Sequence, residues 1–246
     1  MNLGDVKPRL TKLKMSAALE ELESLARSPD FRQMTPFEIL HQVLEAEDVY
    51  RTKKRFENNL KRSKIKYLTA NSENIIFDNR RSLDRSTLLS LASCEWFKMH
   101  RNIIVTGLTG VGKTYIASWL GIEAVKKEIK VIFKRFHRLM EEIEQFLDEG
   151  EMPKYRASLA RFKILIIDDF GLAEFSAPAR QEFLEIIEDK ADTGSIIVTT
   201  QMPVDRIKWV EYLGADKTAD SIYDRLAGKR EIIDIHGESM RRETKH

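Results

Sequence analysis

Apolar residues recur along this chain with two different periods. Through residues 1–66 the spacing is helical: Leu10, Leu13, Ala17, Ala18, Leu22 and Leu25 return every three or four positions. A second helix has a clear start signal, with Thr35 as N-cap, Pro36 at the first helical position and Glu38 three residues after the cap. It runs through Phe37, Leu40, Val43 and Leu44 toward Phe56 and Leu60. Residues 67–83 (YLTANSENIIFDNRRSL) lose the period and gain Asn and Ser. They read as a linker lying on the following domain, with Ile75 and Phe77 packed down, and a helix is expected from near Asp84.

From residue 101 short apolar runs alternate with helical stretches. The strands are NIIVT (102–106), VIF (131–133), ILII (164–167), SIIVT (195–199) and EIIDI (231–235). Helices are predicted near 113–127, 136–148, 178–190 and 203–226, the last with a break. Such alternation implies crossover connections and a parallel sheet covered on both faces. The chain thus divides into a helical domain (1–66), a linker (67–83) and an α/β domain (84–246).

Composition narrows the class. With 42% hydrophobic and 33% charged residues among 246, the chain is globular and charge-rich. Lys and Arg number 41 against 39 Asp and Glu, a net +2. That balance excludes a uniformly polybasic protein but leaves room for a local basic patch. The single cysteine, Cys94, excludes an intramolecular disulfide framework and a cysteine zinc cage. The five histidines show no ligand-like spacing. No apolar run approaches the ~18 residues of a membrane span, and the N-terminal MNLGDVKPRLTKLKM lacks a signal-peptide core. A cytoplasmic, reducing setting is the expectation, with no membrane partner.

The strand NIIVT runs into Gly107-Leu108-Thr109-Gly110-Val111-Gly112-Lys113-Thr114, a full match to G-x-x-x-x-G-K-[ST]. The glycines let backbone N–H groups approach phosphate oxygens, and the following helix points its positive end at the same anion. Lys113 serves the β- and γ-phosphates, and the Thr114 hydroxyl serves Mg²⁺. ATP and Mg²⁺ are therefore the expected cofactors. The run ILIIDDF ends a buried strand in Asp168 and Asp169, at the sheet edge where ligands of open α/β sheets sit. Asp168 is the expected metal partner, and Asp169 orients or deprotonates the attacking water. SIIVTTQMP places Thr199, Thr200 and Gln201 at a third strand end, where a polar side chain is suited to sensing the γ-phosphate or holding the water, Thr200 and Gln201 being the candidates.

Taken together, GLTGVGKT, ILIIDDF, IIVTTQMPVDRIKW, IYDRLAGKREIIDIHGESMRR, the linker FDNRRSLDRSTLLSLASCEWF and the N-terminal LKMSAALEELESLA resemble the IstB/DnaC-like ATPases of the AAA+ class. The resemblance covers nearly the whole chain and lies nearest the insertion-sequence transposition helpers. It implies a sheet ordered 5-1-4-3-2, with the carboxylate strand beside the phosphate-loop strand, and little or no C-terminal lid. It implies that Arg225 is an arginine finger acting on a neighbouring copy and that Arg241 lies near a second sensor position. Two departures stand out: the family commonly has Glu at the position of Asp169 and Asn at the sensor position occupied here by Gln201 or Thr200.

The function implied is an ATP-hydrolysing helper that oligomerises on duplex DNA and delivers the target to a partner transposase. A DnaC-like loader of a replicative helicase is the alternative. A small-molecule phosphoryl transferase and a non-hydrolysing scaffold are the readings from other classes. Charge distribution supplies the DNA contacts: residues 51–66 (RTKKRFENNLKRSKIK) carry eight positive residues against Glu57 alone. Lys53, Lys54, Arg55, Lys61 and Arg62 are the named candidates. Lys134, Arg135 and Arg138 form a second group, which the resemblance places toward the channel of an AAA+ ring. The absence of a base-reading Asn or Gln arrangement predicts weak sequence preference.

Overall fold

The computed structural model describes residues 3–77 and 81–240. It comprises two compact units, Met1–Asn58 and Asn59–His246.

The first unit holds α1 (Leu3–Lys12), α2 (Ser16–Arg27), a 3₁₀ turn (Pro29–Arg32) and most of α3 (Pro36–Ser63). The periodic run from Leu10 to Leu25 is thus two helices. Lys14 takes φ +56°, and the Met15 amide donates back to the Leu10 carbonyl at 2.9 Å, which closes α1 with a left-handed reversal. Met15 gives α2 no side-chain cap. Glu47 of α3 supplies it instead, accepting from the Ala17 and Ala18 amides at 3.1 Å each. Burial pushes the Glu47 carboxyl up, but Arg51 at 2.7 Å and the two amides outweigh it and leave the group below its ordinary value. The capping box at the head of α3 forms: Thr35 donates its amide to Glu38 Oε2 at 2.7 Å, and the Glu38 amide donates to Thr35 Oγ1 at 3.3 Å. Of the apolar row on α3 only Val43 is buried, while Phe37, Leu40 and Leu44 are exposed.

In the second unit Asp84 caps α4 (Arg85–Ala92), accepting from the Ser86 and Thr87 amides, and α5 (Glu95–Lys98) follows. The alternating region gives β1 (Asn102–Gly107), α6 (Lys113–Lys126), β2 (Val131–Arg135), α7 (Phe136–Asp148), α8 (Met152–Ala160) and β3 (Ile164–Phe170). It continues through α9 (Ala177–Ala191), β4 (Ser195–Thr200), α10 (Arg206–Tyr212), α11 (Lys217–Ala227) and β5 (Arg230–Ile235). The sheet is wholly parallel with order β2-β3-β4-β1-β5, the order expected from the resemblance. The accompanying expectation that the carboxylate strand adjoins the phosphate-loop strand is corrected. β4 lies between them, paired to β1 through Val105↔Thr199 and to β3 through Ile167↔Val198.

Strand alternation divides the core between two faces. Ile104, Ile132, Leu165, Ile167, Ile196 and Val198 join the cluster built with residues of α7 to α11. Ile166 faces the other way, onto α6. A Cβ on Gly121 of α6 would sit 2.7 Å from Ile166 Cδ1, so this glycine allows the close helix–sheet approach read from the sequence. The stretch 203–226 breaks at Leu213–Asp216, where Gly214 and Ala215 take positive φ and Asp216 caps α11. Helix α8 was not anticipated. It buries Met152, Tyr155 and Leu159, one face at helical spacing. No described helix is long and apolar enough to cross a membrane.

Candidate active site

The phosphate loop owes its shape to three glycines with positive φ: Gly107 (+142°), Gly110 (+85°) and Gly112 (+99°). At Gly107 a Cβ would lie 2.3 Å from the Ile235 carbonyl oxygen of β5, so no other residue fits there. Gly112 precedes α6 without a side-chain cap, which leaves the amides of the first turn directed at the loop's concavity. Lys113 is buried, and its ammonium donates to the carbonyls of Gly107 (2.7 Å) and Leu108 (2.8 Å). The cation is thereby held inside the loop, at the place where phosphate charge would be received.

The carboxylates are aimed by a β-bulge. Ile167 pairs with Val198 and Phe170 with Thr200, so Asp168 and Asp169 together oppose Thr199. Asp169 takes φ +60° at this bulge. Behind it Phe170 is wedged against Trp209 (centroids 4.6 Å) and Phe136 (4.9 Å), which fixes the strand end. Asp168 is fully buried. Its Oδ1 accepts from the Thr114 hydroxyl at 2.8 Å and the Thr199 hydroxyl at 2.7 Å, while Oδ2 has no hydrogen-bond partner among the described residues. Burial raises this carboxyl's pKa; the two hydroxyls pull it down and the neighbouring Asp169 pushes it up. A buried carboxylate oxygen left without a donor is costly. Together with the adjoining hydroxyl, it is a donor set that fits a hard divalent cation.

Thr199 joins the two aspartates, since its hydroxyl donates to the Asp168 carboxylate and accepts the Asp169 backbone amide at 3.0 Å. In the sequence it is one of three polar residues at this strand end suited to the γ-phosphate or the water; the fold commits its hydroxyl to the two aspartates instead. Of the two sensor candidates, Gln201 is brought to the phosphate loop, where its Oε1 accepts from the Thr109 hydroxyl at 2.7 Å. Thr200 is fully buried and occupied with the backbone, donating to the Phe170 carbonyl at 2.9 Å.

Lys113, Thr114, Asp169 and Gln201 share one cavity of about 450 Å³ with Tyr67, Ile75, Ile76, Arg81, Tyr115 and Met240. The linker forms its far wall. The Asn71 amide donates to the Tyr115 hydroxyl at 3.2 Å, the Tyr67 and Tyr115 rings lie 5.8 Å apart, and Ile75 is buried as expected. Arg81, in the linker, carries no motif of its own. Its guanidinium donates to the Val111 carbonyl, and its own carbonyl accepts the His236 amide at 3.1 Å. Residues after β5 then cross the loop, where the Met240 amide donates to the Gly110 carbonyl at 3.0 Å. Arg241 lies outside the described residues.

Arg225 is not in this cavity. It stands on α11, paired with Glu188 of α9 at 2.7 Å, each side chain about two-fifths exposed. Among the basic candidates, Lys53, Lys54, Arg55, Lys61 and Arg62 are exposed along α3. Lys134 is not open to a partner: it is 11% exposed, bound to Glu142 at 2.6 Å and placed over the Tyr155 ring. Arg135 is exposed, and Arg138 pairs with Glu141 at 2.7 Å.

The family described as IstB-like ATP binding protein matches residues 8–246. The chain belongs to this family. An insertion sequence ATP-binding protein of Sinorhizobium fredii, y4pL, is 33% identical over 241 residues, 96% of each chain. The insertion sequence IS1162 ATP-binding protein of Pseudomonas fluorescens is 33% identical over 195 residues, 79% of this chain and 84% of that one. Among solved structures, the DnaC helicase loader superposes with TM-score 0.55 at 21% identity, covering 68% of this chain and 96% of that one. AMPPCP-bound DnaA from Aquifex aeolicus gives TM-score 0.55 at 19% identity, covering 70% and 53%. These likenesses show the AAA+ P-loop fold.

Proposed function

We propose that this IstB-like protein hydrolyses ATP while assembled on duplex DNA and delivers that DNA to a partner transposase. The observation carrying the ATPase reading is the cluster Thr114–Asp168–Thr199, whose unpartnered buried oxygen adjoins the phosphate loop. Thr114 and Asp168 would hold Mg²⁺, which when bound neutralises charge developing on the phosphate oxygens. The loop amides and Lys113 seat the phosphates; the linker wall, with Tyr115 and Met240, encloses the nucleoside end. Asp169 orients the attacking water and accepts its proton, and Gln201 positions the water from the end of the adjacent strand β4. Arg225 of a neighbouring copy completes the charge stabilisation.

The names of the relatives support the link to insertion sequences, and the exposed basic run on α3 supports duplex binding through the phosphate backbone. Fluorescence anisotropy of a labelled duplex, titrated with and without a non-hydrolysable ATP analogue and Mg²⁺, tests the coupling. Cooperative binding is expected only with nucleotide. Equal affinity in both conditions would overturn the coupled reading.

A further inference from the structure

At the opposite end of the sheet from the nucleotide cavity, a second cleft of about 390 Å³ opens beside the edge strand β2. Its rim carries Arg62 near the end of α3, Lys130 just before β2 and Arg161 at the end of α8, with Asn59 and Ser158 between them. The three cationic side chains are exposed, and no carboxylate among the described residues lines the cleft. None of the three forms a salt bridge among the described residues. Helix dipoles do not explain the accumulation. The ends of α3 and α8 contribute roughly −0.5 charge each, against three full positive charges. The end of α8 is moreover already served by Lys190, which donates to the carbonyls of Leu159 (2.8 Å) and Phe162 (2.5 Å). Lys163 adds a further exposed positive charge near Lys190, and the opposing carboxylate there is Asp189.

We infer that Arg62, Lys130 and Arg161 form a seat for the phosphodiester backbone of duplex DNA on the ATPase unit itself. This rests on the DNA-binding reading above and extends it to two residues, Lys130 and Arg161, outside the basic run of α3. Asn59 and Ser158 add neutral donors of the kind that fix the register of a phosphate contact without reading bases. The cleft lies about one strand length along the sheet and three strand spacings across it from the phosphate loop, roughly 22 Å, so DNA held here leaves the nucleotide cavity open.

The test is the double variant Lys130→Glu/Arg161→Glu in the full chain. Its affinity for a duplex several helical turns long should fall at least about tenfold, and the slope of log affinity against log salt should flatten by about 2. ATP affinity should stay unchanged, since neither residue touches the nucleotide cavity. Duplex affinity within twofold of the unaltered protein would overturn the inference while leaving the DNA-binding reading intact. Failure of the unaltered protein to bind any duplex would overturn that reading, and this one with it. Should the double variant lose ATP binding through misfolding, acetylation footprinting of the unaltered protein decides: Lys130 protected by duplex supports the seat, and Lys130 equally reactive with and without duplex removes it.

Discussion

Asp169 holds a left-handed backbone at a bulge, and this bears on why it is not glutamate. Aspartate tolerates φ near +60° better than longer side chains do, so the same residue serves the backbone and the proposed water. The two roles can be separated. Asp169→Asn keeps the backbone preference and should bind ATP normally, while phosphate release falls at least ~100-fold. Asp169→Glu extends the carboxylate by one methylene and should release phosphate faster but melt at a lower temperature. Phosphate-release assays beside thermal melts check both; slower release by the glutamate variant would show that side-chain length does not limit turnover. Much of this site was legible, because glycines, Lys113, Thr114 and paired aspartates have a spelling dictated by phosphate and metal chemistry. Thr199 and Arg81 were not, because their roles come from strand register and from a linker folded back on the loop, neither of which leaves a local pattern.

The joint between α8 and α9 shows an element-level balance. Lys190 of α9 is 2% exposed, and burial lowers its ammonium from 10.5 to about 8, with Lys163 adding to the drop. Below about pH 8 the group is charged in both folded and unfolded chains, and the cost of burying the charge is carried in full. Between about 8 and 10.5 the unfolded chain binds more protons, so stability rises with pH, by up to about 3 kcal/mol. Urea unfolding of the unaltered protein and Lys190→Met across this window should show the difference shifting in favour of lysine as pH rises. A difference independent of pH would mean that the ammonium is not desolvated. The same joint marks where sequence reading of elements ended. α8 spans only Met152–Ala160, carries Pro153 in its first turn and follows Gly150 at φ +68°, so a start signal is present but the helix is too short for its apolar period to stand out. The split of α1 from α2 at Lys14 left no Gly or Pro signal at all. Glu47 compensates for it from α3, a partner no local window contains.

At the scale of the whole molecule, the sheet order brings the nucleotide residues of one chain together but leaves Arg225 outside their cavity. That is where a residue serving a neighbour's nucleotide belongs. Within its own chain Arg225 gives up little by leaving: its pair with Glu188 is partly exposed, and such pairs contribute about 0–1 kcal/mol. A triphosphate presented by an adjacent copy would be a stronger partner, and an arginine so placed is worth about 10³–10⁵ in rate where it completes a phosphoryl-transfer site. Arg225→Ala should therefore bind ATP normally while losing both ATP-dependent assembly and DNA-stimulated turnover. Glu188→Ala, which releases the arginine from its resting pair, should assemble at least as well as the unaltered protein. Sedimentation velocity on duplex DNA, with and without a non-hydrolysable analogue, distinguishes the cases. If Arg225→Ala sediments and turns over like the unaltered protein, Arg225 is a surface ion pair and the seam between copies must be completed by another residue.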